Sequence, residues 1–596
     1  MTVQFGAWTL GLDGGEAPSR ELIGGKAWSV ARMQTLGLTV PPAFVVTTRA
    51  CAAYLSGAAL PDGLEEEISA GIAWLEIRTQ RRFGHGPRPL LVSVRSGAPI
   101  SMPGMMDTVL NLGINDVTEA ALAAECDDPQ FARDTHRRFL DLYGHIVLKT
   151  GDLGLAVGED PARWRAAIAG VVGAPAPEDA TEQLRGAVRA VFESWNSRRA
   201  RRYRQHHGIP DTLGTAVTVQ AMVFGNVDDR SGTGVLFSRN PLSGEPTPYG
   251  EYLPRAQGED VVSGKFTPKP LSTLRVSMPE VHQALLAAAR KLEEAGRDVQ
   301  DIEFTIERGR LYLLQSRGAK LAPHAAVRIA VDLVREGLID EAGALQRVTP
   351  DQVRILLSPH LNENTIAAAK VLAAGEGASP GVGIGVVVRD SDEAERRAHA
   401  GEAVILARPT TSPDDLHGMI AARAVVTEHG GSTSHAAVVG RALGLPCVVG
   451  CGAGSLAALT GKTITVDGRS GKVFEGALSI EAPDENDNEL LATLAEWAVP
   501  RARLKVVAPS AAGALDAIDL SGLDAAADPA RIGEALIAFK GAKGARGGAI
   551  ASDEGVRAAI AVGLEFIVAD PVLPPLLAAA RIAAETDLNA TEKELP

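Results

Sequence analysis

At 596 residues the chain is about four times the ~150 residues of a common domain, so several cores joined by linkers are expected. Hydrophobic residues make up 45% and charged residues 22%, a balance that suits folded, soluble domains and excludes disorder as the overall state. The net charge of −14 argues against a general binder of nucleic acid or anionic membrane, and no apolar run approaches the ~18 residues of a membrane-spanning helix.

The chain opens MTVQFGAWTL, without the basic segment and apolar core of a secretory signal, and Cys51, Cys126, Cys447 and Cys451 show no repeated spacing. Together these predict reduced thiols and a cytoplasmic location. Ile23-Gly24-Gly25-Lys26 sets a lysine after a flexible double glycine, which suits a phosphate and equally suits a turn with a solvated lysine. Residues 90–94, LLVSV, predict a strand ending at Arg95-Ser96-Gly97, and Thr215–Phe224 predicts another. The run 101–107, SMPGMMD, reads as a flap over a ligand or as a loop covering the core. Residues 116–206 are polar and helical in pattern, an insert within an α/β framework. A helix with a terminal glycine stop is predicted over 280–297.

Two strand-like runs follow, 301–307 and 311–315. Period two puts Asp301, Glu303 and Thr305 on one face with Ile302, Phe304 and Ile306 on the other, and groups Leu311, Leu313, Gln315 and Arg317. A three-residue reversal at 308–310 brings Glu303 opposite Gln315 and Asp301 opposite Arg317; a two-residue turn breaks that match. In the first register the carboxylate and amide oxygens suit Mg²⁺ beside a triphosphate, with Arg317 neutralising developing charge. A hairpin with a solvated polar face fits the same residues.

Residues 324–373 are helical in pattern and read as a linker. An α/β unit begins near Ser379-Pro380-Gly381 and ends near 480, with strands at 385–388, 403–407 and 424–427. Its loop TEHGGSTSHAAVVGRALGLPCVVG, residues 427–450, carries the strongest chemical signal. Gly430-Gly431 permit a tight reversal, Ser432-Thr433-Ser434 offer capping hydroxyls, and His435 opens a helix. A helix N-terminus offers free N–H donors and partial positive charge, which suits a phosphorylated imidazole. His429 lies before the double glycine and reads as a loop residue. Beyond about 500 the chain turns Ala- and Gly-rich, and its roughly hundred residues are too few to close an eight-stranded α/β barrel of ~200 or more.

GGSTSHAAVVGRALGLPCVVG resembles the phosphohistidine loop of the pyruvate phosphate dikinase and phosphoenolpyruvate synthase family. The dikinase loop usually has Met at Ser432 and Ala at Gly440. LLVSVRSGAPISMPGMMDTVLNLGIND, QAMVFGNVDDRSGTGVLFSRNPLSGE, YGEYLPRAQGEDVVSG and DIEFTIERGRLYLLQSR are similar to the family's ATP-binding domain, in family order, so that the likeness covers roughly residues 1–480. SMPGMMDTVLNLG is nearer the dikinase than the synthase. The resemblance implies an α/β multidomain chain: an ATP-grasp-like domain over 1–322 with its helical insert, a linker over 323–375, a swivelling phosphohistidine domain over 376–485, and a short α/β segment over 486–596. It also implies that His435 is phosphorylated by ATP with release of AMP, that Lys26, Arg95, Asp301, Gln315 and Arg317 hold ATP and its phosphates, and that Glu303 and Gln315 serve Mg²⁺. Thr433 matches a threonine that a regulatory protein phosphorylates in some dikinases; by residue type alone it is a capping hydroxyl. The family's pyruvate-binding barrel is not recognisable after 500. The expected acceptors are therefore pyruvate on a separate barrel subunit, another hydroxyl compound or an acceptor protein, with orthophosphate or water as second substrate. A nucleotide-binding regulatory chain is the remaining alternative.

Overall fold

The computed structural model describes residues 3–593 apart from 58, 101, 103–106, 263–265, 358–360, 362, 444, 481–484, 486, 487, 514, 521–530 and 540. Of the methionine-rich run 101–107, only Met102 and Asp107 are therefore described, and the last residues of YGEYLPRAQGEDVVSG also lie outside.

The first sheet has six antiparallel strands in the order Val3–Gln4, Thr9–Leu12, Ala43–Val46, Ala216–Ala221, Val92–Gly97, Thr108–Leu112. The four apolar residues Ala43–Val46 serve two cores by simple alternation. Phe44 and Val46 join the helical insert, while Ala43 and Val45 face the helix Arg20–Thr35. The insert comprises the helices Asp116–Cys126, Pro129–Tyr143, Pro161–Val172, Ala180–Ser194 and Arg198–His206. Asn115, Asp128, Asp160, Asp179 and Ser197 cap their N-termini. The strand expected over 90–94 runs Val92–Gly97, so Arg95 belongs to the sheet, while Pro89–Leu90 pairs separately with Arg82–Phe83.

The second sheet, also antiparallel, runs Lys269–Pro270, Tyr249–Pro254, Gly232–Phe237, Gln300–Glu307, Arg310–Gly318. The helix Arg20–Thr35 lies between the two sheets, its Ile23, Ala27 and Val30 sharing a core with Leu236, Ile302 and Phe304. In the last hairpin Asp301 pairs with Arg317 and Glu303 with Gln315, by a route different from the expected one. Arg308 and Gly309, both at positive φ, make a two-residue turn. A bulge between Glu303 and Phe304 then adds Leu314 and restores the register. The bulge also divides the residues grouped by period two. Leu311 and Leu313 pack in the core with Ile306 and Phe304, whereas Gln315 and Arg317 turn to the opposite face.

The predicted linker is not a free connector. The helices Pro323–Arg335, Glu341–Arg347 and Pro350–Leu356 share a core with the helices Glu489–Ala498 and Leu573–Lys593, through Val327, Val331, Leu345 and Val353 against Leu491, Leu494 and Leu577. Apolar residues at i and i+4 leave one stripe on Pro323–Arg335, and the C-terminal helices cover it. Those helices flank four parallel strands in the order Lys505–Val507, Phe566–Val568, Gly544–Arg546, Ala517–Asp519.

Between Leu357 and Glu489 lies an eight-stranded mixed sheet, ordered Val371–Ala374, Lys472–Glu475, Thr463–Asp467, Val382–Val388, Val404–Arg408, Ala424–Thr427, Cys447–Val449, Glu376–Ser379. Its four strands from Val382–Val388 to Cys447–Val449 are parallel. Val371–Ala374 already belongs to this sheet, so the unit starts a few residues before the expected 376. The chain is thus a mixed α/β protein of several units, and among the described residues no helix is long and apolar enough to cross a membrane.

Candidate functional site

The helix Arg20–Thr35 breaks at Gly24, where φ is +72°. A Cβ there would lie 1.8 Å from the Gly97 carbonyl oxygen, so only glycine admits this approach of helix to strand. Gly25 N–H donates to the Ala98 carbonyl at 2.9 Å, and Ser29 Oγ bonds both the Ser316 N–H and its carbonyl at 2.7 Å. The break therefore fixes Lys26 beside the strand of Arg95, and Ser29 fixes the same helix to the hairpin. Gly24→Ala is expected to cost ~3 kcal/mol, visible as a lowered denaturant midpoint at unchanged slope.

A cavity of about 680 Å³ opens between the two sheets and the eight-stranded unit. Lys26, Arg95, Glu303, Gln315, Arg317, Thr433 and His435 all line it. Arg95 Nη2 donates to Glu303 Oε2 at 3.1 Å and to Gln315 Oε1 at 3.2 Å. Arg317 Nε donates to Asp301 Oδ2 at 2.8 Å. Asp301 is 6% exposed and stands behind Arg317 instead of lining the cavity.

Charge inside this enclosure is strongly coupled. Burial, reinforced by the like charges of Arg95 and Arg317, lowers Lys26 to about 7, with Glu303 acting in the opposite sense. Burial pushes Glu303 upward, but Arg95, Arg317 and Lys26 together hold it below the usual carboxylate range. For Asp301 burial outweighs Arg317 and the carboxyl is raised. Five lining cations, Arg20, Lys26, Arg32, Arg95 and Arg317, against the two lining carboxylates Asp298 and Glu303 leave the cavity matched to a polyanion.

His435 begins the helix His435–Leu443. Its Nδ1 is 3.1 Å from Thr411 Oγ1, and its buried Nε2 has no hydrogen-bond partner among the described residues. With the proton on Nδ1 donated to Thr411, Nε2 keeps its lone pair free. Burial lowers the imidazole pKa, opposed by the Asp415 carboxylate, so the ring is neutral near pH 7. His429 is a loop residue outside the cavity lining, its N–H donating to the Pro409 carbonyl at 3.0 Å.

The loop before His435 rests on the second sheet. Thr433 Oγ1 donates to Glu251 Oε2 at 2.6 Å and Ser432 Oγ to Glu251 Oε1 at 3.3 Å. Ser432 N–H donates to Glu376 Oε2 at 3.1 Å, and Tyr249 O–H donates to the same carboxylate. A Cβ on Gly431 would lie 2.4 Å from Glu251 Oε1, so the second glycine serves this contact while Gly430, at φ +109°, makes the turn. Two turns along the helix, Arg441 Nη1 donates to the Ala378 carbonyl at 3.1 Å within its own unit. Its Nε donates across the interface to the Lys320 carbonyl at 3.2 Å, and its guanidinium carbon lies 5.9 Å from the Phe237 ring centre.

Tyr249, Glu251, Glu376, Thr411 and Arg441 were not singled out by sequence reasoning. Tyr249 and Glu251 stand in YGEYLP, where nothing marks a strand polar residue as a cross-unit contact. Arg441→Met is expected to loosen the contact and expose His435, raising its rate of modification by diethyl pyrocarbonate about tenfold, the shift given by one lost charged hydrogen bond of ~1.5 kcal/mol.

Residues 20–82 and 55–284 match the family described as pyruvate phosphate dikinase, AMP/ATP-binding domain, and residues 400–471 match the mobile domain of PEP-utilising enzymes. The chain is similar to the pyruvate, phosphate dikinase of Rhizobium meliloti (strain 1021), 42% identical over 539 residues, covering 83% of this chain and 60% of the relative. It is 41% identical over 538 residues to that of Clostridium symbiosum, covering 84% of this chain and 61% of the relative. With pyruvate, phosphate dikinase 2 of Zea mays it shares 41% over 532 residues, 83% of this chain and 60% of the relative. The chain spans about three fifths of the length of these relatives. The chain thus carries a pyruvate phosphate dikinase AMP/ATP-binding domain and a PEP-utilising mobile domain, in a sequence similar to pyruvate phosphate dikinases over most of its residues.

Proposed function

We propose that the chain phosphorylates His435 with the β-phosphoryl group of ATP. The observation that carries this reading is a neutral histidine whose Nε2 is unpartnered and which lines one cavity with Lys26, Arg95 and Arg317. Nε2 attacks the β-phosphorus, the bond to the α-phosphate bridging oxygen breaks, and AMP leaves with that electron pair. Orthophosphate or water then takes the terminal phosphoryl group, breaking the β–γ bridge and leaving one phosphoryl on Nε2. Nδ1–H, held by Thr411, fixes the ring while Nε2 forms the bond. Lys26, Arg95 and Arg317 hold the phosphates as charge develops. In this reading the two sheets form an ATP-grasp site, the eight-stranded unit swivels, and pyruvate on a barrel supplied in trans, or another acceptor, takes the phosphoryl group.

Glu303 and Gln315 direct two hard oxygens onto one cationic nitrogen, Arg95 Nη2, a donor set that fits Mg²⁺. Bound there, Mg²⁺ supplies charge neutralisation to the triphosphate. Thr433 is a regulatory site in this reading, since a phosphate on its hydroxyl would confront Glu251 and oppose the docked loop.

Incubation with ATP labelled at the β-phosphorus tests the proposal. Acid-labile, base-stable label on the protein is the expected result, with AMP released in equal amount. Bound ATP that never yields such label would reduce the chain to a nucleotide-binding protein.

A further inference from the structure

A second cavity, of about 400 Å³, opens where three parts of the chain meet. Lys320 follows the hairpin, Arg347 ends the helix Glu341–Arg347, and Arg441 belongs to the histidine helix; all three line it. Arg441 is 4% exposed, and among the described residues its buried Nη2 has no hydrogen-bond partner. Arg347 Nε is likewise buried and unpartnered, although Nη1 and Nη2 of the same side chain bond the Gly343 and Arg297 carbonyls. Desolvated guanidinium N–H groups without acceptors are costly, and both belong to side chains that line this cavity, so a small side-chain shift would turn them to an acceptor held in it.

The lining carboxylates do not fill that role. Asp351 is ion-paired to Arg354, and Asp298, whose Oδ1 accepts from the Val299 N–H at 2.9 Å, feels the Arg347 charge but forms no ion pair with it among the described residues. Ala326, Ile329 and Ile355 add an apolar wall. In a chain of net charge −14, three lining cations that enter no ion pair among the described residues stand out.

We propose that this cavity binds a small phosphate-class dianion, held jointly by Lys320, Arg347 and Arg441. Because Arg441 moves with the histidine unit and the other two do not, the bound anion fastens that unit in its docked position. The inference needs only the docked arrangement, so it stands or falls apart from phosphoryl transfer to His435.

The test uses the whole chain with the larger cavity saturated by a non-hydrolysable ATP analogue. Orthophosphate and glycerol 3-phosphate are titrated calorimetrically into the unaltered protein, Lys320→Gln and Arg347→Gln. Binding is expected to weaken about tenfold in each variant, with affinity for the ATP analogue unchanged. With the ATP analogue left out, the anion should also slow diethyl pyrocarbonate modification of His435 in the unaltered protein, and in Arg347→Gln it should not. Equal affinity for the two probes assigns the site to free phosphate, and preference for glycerol 3-phosphate assigns it to a phosphate monoester. Lys320 is exposed, so Lys320→Gln keeps the test valid should Arg347→Gln fold poorly. Unaltered binding in both variants, no binding at millimolar anion, or loss of binding once the ATP analogue is present would each overturn the proposal.

Discussion

His435→Ala should take acid-labile labelling from β-labelled ATP to background while leaving affinity for ATP analogues within about twofold. The asymmetry follows from where the parts stand. Lys26, Arg95 and Arg317 sit on the two antiparallel sheets and their intervening helix, whereas His435 arrives from the eight-stranded unit. Removing the imidazole takes away a neutral ring nitrogen that has no hydrogen-bond partner among the described residues. It leaves the lining cations Lys26, Arg95 and Arg317 untouched. His435→Asn keeps polarity and approximate size and should be equally inactive, which separates nucleophile from spacer. Residual labelling in either variant would point to a different acceptor residue.

The second large effect concerns pH. Burial lowers the His435 pKa, so the reactive neutral ring accumulates as pH rises through that lowered value. Lys26 titrates near 7 and loses its charge as pH rises further. The rate at limiting ATP should therefore climb on the acid side, peak near neutrality and fall above about 7. At saturating ATP the triphosphate charge favours the ammonium form, raises the Lys26 pKa and moves the falling limb to higher pH. Lys26→Met should abolish that limb and weaken ATP binding about tenfold to a hundredfold at pH 6.5. A falling limb that survives in Lys26→Met would assign it to another group.

Much of this site was legible in the residues because its signals are local. A double glycine before a helix start, with hydroxyls between them, points to His435 whatever surrounds it. The hairpin was legible in outcome and wrong in route: no period-two count anticipates the extra residue at Leu314, since a bulge depends on how both neighbouring strands pack. The docking contacts were not legible. Glu251 and Ser432 are 181 positions apart, and nothing local announces that a strand carboxylate will receive a loop hydroxyl from another unit. The helices Pro323–Arg335 to Pro350–Leu356 were misread as a connector because the partners for their apolar stripe lie beyond residue 488.

Leu357 and Leu491 belong to one core, and the chain between them leaves and returns through paired strands, Val371–Ala374 against Lys472–Glu475, with Lys370 joined to Glu475 at 2.9 Å. A body held by two adjacent leashes from a single anchorage cannot drift far. In the proposed swivelling, rotation about the anchorage would keep the imidazole within a short arc, so its effective concentration at any station on that arc would remain in the millimolar range whatever the protein concentration. Cutting one leash, for instance with a protease site introduced at residues 479 and 480, should lower that concentration and slow phosphorylation while the Glu485 contacts to the Val572 and Leu573 N–H groups remain.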